Sequence, residues 1–166
     1  DIDYNTTMNK FWAWYEKHYT LNLSVAAGLF FLQLIHLYWL TTHVVIHKLV
    51  GVSLWDPTSV LQYLLIVVDY TEIPAIITTS LVYINELRKG FKFKPLLYLL
   101  FLDIQLLHIF WITDEFVLEQ FTQRAETILP LWLAWIAIMI DYLELPVIFE
   151  TVAKALKEIR NKLRLY

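Results

Sequence analysis

The chain has 166 residues, no cysteine, a formal net charge of −3 and a 58% hydrophobic share that includes 16% aromatics. That apolar share exceeds ordinary globular usage and reads as one integral membrane domain rather than a soluble core. The lack of cysteine excludes disulfides, zinc–thiolate sites, Fe–S clusters and thiol catalysis, and the lack of a basic patch interleaved with aromatics excludes nucleic acid as a partner.

In chain order, residues 1–22 form a polar amino-terminal segment in which Trp12, Trp14 and Tyr15 read as interfacial anchors. Its first ten residues lack a basic stretch followed by an apolar core, so no signal peptide is expected there. Four apolar stretches follow, at 23–47, 60–84, 95–117 and 129–153. Each can cross about 30 Å of hydrocarbon, which takes roughly 20 helical residues. Residues 51–59, with Gly51 and Pro57, separate the first stretch from the second, and the connector 85–94 carries Arg88, Lys89, Lys92 and Lys94. The acidic run DEFVLEQFTQRAE between the third and fourth stretches is expected to be an amphipathic helix at the membrane surface. Residues 158–166 form a basic tail with Arg160, Lys162 and Arg164. Basic residues favour the cytoplasmic side of short loops, and four spans put the connector and the tail on one side. Both termini are therefore expected in the cytoplasm, with the plasma membrane as the location if the source is prokaryotic.

The ionisable residues inside these stretches recur at one offset. His36 matches His108, Asp69 matches Asp141 and Glu72 matches Glu144, each pair 72 positions apart. Gln33/Gln105, Trp39/Trp111, Thr41/Thr113, Tyr70/Tyr142, Pro74/Pro146 and Thr79/Thr151 keep the same register. The expected fold is all-α, a four-transmembrane-helix bundle built from two tandem helical hairpins, residues 23–88 and 95–157. Because both hairpins start from the same side, a pseudo-two-fold axis along the membrane normal should relate them, and the natural place for a metal or cofactor is the bundle core.

In DYTEIP and DYLELP the acids stand at i and i+3, about 60° apart around a helix, so both can face the bundle axis. A proline follows each pair and should kink the helix beside it. Charge at membrane depth is expensive and defaults to a functional role. His36, Asp69, Glu72, His108, Asp141 and Glu144 are the expected metal ligands. His43 and His47, matched by Glu115 and Glu119, share the helical face of the histidines and would line an approach from the outer side. Tyr70, Tyr142, Gln33 and Gln105 are expected as supporting hydrogen-bonding neighbours. Asp103 has no counterpart in the first half and reads as peripheral.

Four carboxylates balance two divalent cations, which matters in a low dielectric where unpaired charge dominates the cost. Oxygen and imidazole donors suit iron or manganese first and zinc next. The ligand inventory resembles that of ferritin-like di-iron and di-manganese carboxylate proteins. The motif does not match, because those proteins place Glu-x-x-His on one helix and use Glu where Asp69 and Asp141 stand here. The function expected is a membrane metalloprotein with a dinuclear site, an oxidoreductase acting on a lipid or quinone reached from within the bilayer. Proton or divalent-cation transport through the same residues is the alternative. A haem b protein with His36 and His108 as axial ligands ranks last, since four carboxylates ill suit an apolar haem crevice.

Overall fold

Hydrocarbon offers no hydrogen-bond partner to a peptide group, so a segment at membrane depth must satisfy its backbone internally, and in a single span only a helix does this. Stretches rich in β-branched residues, such as Val67–Val68 and Ile76–Ile77, are accordingly helical here despite their strand preference. A computed structural model describes residues 4–55, 57–113 and 130–164, and no strand occurs among the described residues.

The helices are α1 (Tyr4–Lys17), α2 (Tyr19–Trp39), a π-helical segment Leu40–Val45, α3 (Ile46–Val50), α4 (Ser59–Tyr70), α5 (Glu72–Lys89), α6 (Phe93–Ile104), α7 (Leu106–Ile112), α8 (Leu131–Asp141) and α9 (Glu144–Leu163). They assemble into four helices long and apolar enough to cross a membrane: Tyr19–Val50, Ser59–Lys89, Phe93–Trp111 and Trp132–Leu163. Three of these outrun the apolar stretches read from the sequence, because a helix need not stop where hydrocarbon ends. The extra turns carry residues such as Arg88, Lys89, Lys157 and Arg160 that suit the polar boundary. The acidic run expected at the surface lies outside the described residues. Gly51, with φ 78°, ends α3 in the left-handed conformation that favours glycine, its amide bonded to the His47 carbonyl at 2.8 Å.

The first span packs on the second and the fourth, the second on the third, and the third on the fourth, which closes a ring of four. Small residues at the contacts (Ala26, Ala75, Ala134 and Ala137, all buried) let the helices approach closely. Phe30, Leu40, Leu102, Trp111 and Ile138 fill the core between them. The outward faces carry exposed Phe31, Ile35, Val67, Leu100, Phe110 and Met139, as expected of surface that meets lipid.

One end of the bundle is polar. Lys94 pairs with Glu150 at 2.8 Å and Lys154 with Glu86 at 2.5 Å. The Arg88 guanidinium lies 4.2 Å over the Trp12 ring, and Thr20 donates to Glu158 at 3.2 Å. The basic connector, α1 and the last turns of α9 therefore meet at the same end.

Candidate metal centre

Proline has no N–H for the carbonyl four residues back and its ring crowds that carbonyl. Upstream of Pro74 the helix breaks at Thr71, whose amide turns to the carbonyls of Val67 (3.2 Å) and Val68 (2.9 Å). Upstream of Pro146, α8 stops at Asp141 and α9 resumes at Glu144, with the Leu143 amide donating to Ile140 at 2.8 Å. Each break therefore falls within an acid pair. A carbonyl beside each break also accepts a second bond from a neighbouring span. Gln33 Nε2 donates to the Val68 carbonyl at 3.3 Å and to Thr71 Oγ1 at 3.0 Å, while Gln105 Nε2 donates to the Ile140 carbonyl at 3.1 Å.

One helical turn beyond each glutamine stands a histidine. His36 Nδ1 meets Asp69 Oδ1, and His36 Nε2 lies 3.1 Å from Asp141 Oδ2. His108 Nε2 lies 3.7 Å from Asp141 Oδ1, beyond hydrogen-bond reach. The two imidazoles meet edge to face, with centroids 5.1 Å apart. Trp39 and Trp111 cover them, with centroids 5.7 Å from His36 and 5.3 Å from His108. None of His36, Asp69, Glu72, His108, Asp141 and Glu144 is more than 4% exposed.

These side chains offer two groups of candidate ligands. One donor atom each from His36, His108 and Asp141 lie within 4.8 Å of one another, and the same holds for Glu72, Asp141 and Glu144. Donors held roughly 2.0–2.2 Å from one ion stand at most about 4.4 Å apart, so a small closure completes either group. Asp69, which meets His36, belongs to neither group. Buried Asp69 Oδ2, Glu72 Oε1, Asp141 Oδ1, His108 Nε2 and both Glu144 oxygens have no hydrogen-bond partner. Among the described residues, the ion pairs of these acids are to histidine alone. Buried carboxylates so placed require protons or cations to compensate them. The donor set, oxygen and imidazole without thiolate, fits iron, manganese or zinc.

The other expected residues fall elsewhere. His43 is half-buried and turned to the loop after α3, where its Nδ1 lies 2.9 Å from Ser53 Oγ and 3.0 Å from the Trp55 carbonyl. It follows the π-helical segment's start at Leu40 and stacks on Trp39, with centroids 5.9 Å apart. His47 is exposed, as is Asp103. Glu115 and Glu119 lie outside the described residues. The Tyr70 hydroxyl bonds Thr113 Oγ1 at 2.8 Å and that of Tyr142 bonds Thr41 Oγ1 at 2.7 Å, so both tyrosines tie spans together. The roles of Thr41 and Thr113 escaped the sequence reading, although their recurrence at the tyrosines' own offset was the signal for it. No family model matches the chain, and no characterised protein or solved structure matches it either.

Proposed function

We propose that this chain is a membrane metalloprotein with a dinuclear carboxylate–histidine centre in its bundle core, and that it serves as an oxidoreductase on a lipid or quinone drawn from the bilayer. The observation that carries this is the sharing of Asp141 between the two ligand groups. A carboxylate has two oxygens with which it could serve both ions, and Asp141 Oδ1 has no hydrogen-bond partner. One ion would be held by His36, His108 and Asp141, the other by Glu72, Glu144 and Asp141. Asp69 accepts from His36 and fixes that ring's orientation and tautomer, as carboxylates behind metal-bound histidines commonly do. Iron or manganese would supply redox chemistry there and zinc a Lewis acid. The chain's own part is to neutralise two cations with four carboxylates and to exclude water with Trp39, Trp111 and the apolar helix faces.

Crossed contacts support a pseudo-two-fold relation between the hairpins 23–88 and 95–157. Gln33 to Val68 and Gln105 to Ile140 are the same bond shifted by 72 positions, as are Tyr70 to Thr113 and Tyr142 to Thr41 with the hairpins exchanged. The meeting of α1, the basic connector and the end of α9 supports both termini on one side, with the cytoplasm assigned by charge and the plasma membrane assigned on the premise of a prokaryotic source. Residues 1–22 then lie along that interface, and 158–166 extend from it as the basic tail.

The packing argues against haem. His36 and His108 touch edge to face and both reach toward Asp141, so no slot for a macrocycle lies between them. Elemental analysis of protein purified without added metal, with an optical spectrum, tests the proposal. Two equivalents of iron or manganese are expected. A Soret band would revive the haem alternative. No metal, with a proton titrating reversibly near neutral pH, would replace this function with transport.

A further inference from the structure

Asp69, Tyr70, Glu72, His108 and Ile109 line a crevice that is too narrow, as it stands, to hold a water molecule. One wall belongs to the second span, through α4 and α5, and the other to α7 of the third. The cleft therefore runs sideways between two neighbouring helices instead of along the bundle axis. Flanking residues on the outward faces are apolar and exposed: Val67 is 61%, Leu106 51% and Phe110 71% accessible. Three of the five lining residues are site residues, and each presents a buried donor atom without a hydrogen-bond partner: Asp69 Oδ2, Glu72 Oε1 and His108 Nε2. The corresponding face between the fourth and first spans is covered more closely: Leu37, 72 positions before half-buried Ile109, is 5% exposed there. Asp141 Oδ1 and both Glu144 oxygens are equally unpartnered, so the two faces differ in how they are covered and not in their donors.

We propose that this cleft is the route by which a slender apolar molecule dissolved in the bilayer, such as a lipid acyl chain, reaches the centre, and that Tyr70 is its latch. The inference deepens the proposed function and rests on it for what happens at the far end. The helices that form its walls expose Val67, Leu106 and Phe110 on apolar surface suited to hydrocarbon, so what enters between them must already be dissolved there. A charged headgroup would lose its hydration in so narrow a passage without recovering hydrogen bonds. The Tyr70 side chain lines the cleft from the second span and its hydroxyl bonds Thr113 of the third, one turn beyond Ile109. Widening the cleft requires that bond to part.

Photolabelling of the full chain in lipid nanodiscs tests this. An apolar aryl diazirine confined to the bilayer is compared with a water-soluble diazirine, adducts are mapped by mass spectrometry, and metal content is measured on the same samples. The apolar reagent should modify Ile109 and Glu72 and spare their counterparts Leu37 and Glu144. Ile109→Trp, or Ile109→Phe if the larger variant misfolds, should abolish the adduct on Glu72 with metal content unchanged. Tyr70→Phe should raise Glu72 labelling roughly three-fold, the scale of one lost hydrogen bond. Equal modification of the two faces, or better access for the water-soluble reagent, would overturn the route. Labelling as expected on a protein that carries no metal would leave the route standing and sink the metal centre alone.

Discussion

Asp141 divides its two oxygens between the two histidines, Oδ2 at 3.1 Å from His36 and Oδ1 at 3.7 Å from His108, and it is the member common to both ligand groups. Asp141→Asn keeps the shape and removes the anionic bridge, so both equivalents of metal should be lost, as read by elemental analysis. Glu72→Ala should lose one equivalent and leave the histidine side loaded; unchanged metal in both Glu72→Ala and Glu144→Ala would rule out the dinuclear assignment. Asp69→Asn should retain two equivalents but weaken binding about 10- to 100-fold in chelator competition, the usual cost of removing a partner behind a ligand. Outside the membrane, Tyr15 is 2% exposed, and burial above all, then Tyr19 and Glu86, pushes its hydroxyl above the ordinary tyrosine range. The folded state then keeps a proton that the unfolded chain releases above about pH 10. Stability should stay level from neutral pH to that point and fall beyond it, and Tyr15→Phe should flatten the fall in thermal unfolding across pH.

Among the elements, the two broken helices carry most of the design. Each break is caused by a proline, falls within an acid pair and is held by a glutamine from a neighbouring span. Gln33→Leu and Gln105→Leu should each destabilise the bundle by roughly 0.6 kcal/mol, and by no more than about 1.7, the measured range for hydrogen bonds between membrane helices. Thermal unfolding in detergent would show it; a cost near zero would mean that the Thr71 and Leu143 amides already satisfy these carbonyls. The spans and the six central residues were legible in the sequence for a physical reason. Charged groups inside apolar runs are conspicuous, and the offset of 72 aligned Asp69 with Asp141 and Glu72 with Glu144 without any structure. The rotation of one helix against another was not legible. It decides that Asp69 holds His36 while Asp141 joins both ligand groups, although the sequence treats the two acids as equals. The π-helical turn at Leu40–Val45 was equally hidden.

For the whole molecule, lipid removes most of the hydrophobic force between helices, and bound ions should take over part of that task. Chelation should lower the unfolding temperature and added metal restore it; at ion concentrations a hundred times Kd the linkage is about 2.7 kcal/mol. Since the chain has no native cysteine, single cysteines placed near either terminus can be labelled cleanly with an impermeant maleimide. Both should react from the same face of sealed vesicles, and reaction from opposite faces would overturn the orientation. Each ligand group also draws on both hairpins, His36 with His108 and Asp141, and Glu72 with Asp141 and Glu144. During synthesis the first hairpin emerges with two of these five residues, His36 and Glu72, and with neither group complete. On the proposed function, an ion can be captured only after the second hairpin has inserted and docked, so loading would certify assembly. A molecule starved of metal would have to compensate its buried acids with protons instead, a mark by which quality-control proteases could tell an unfinished molecule from a mature one.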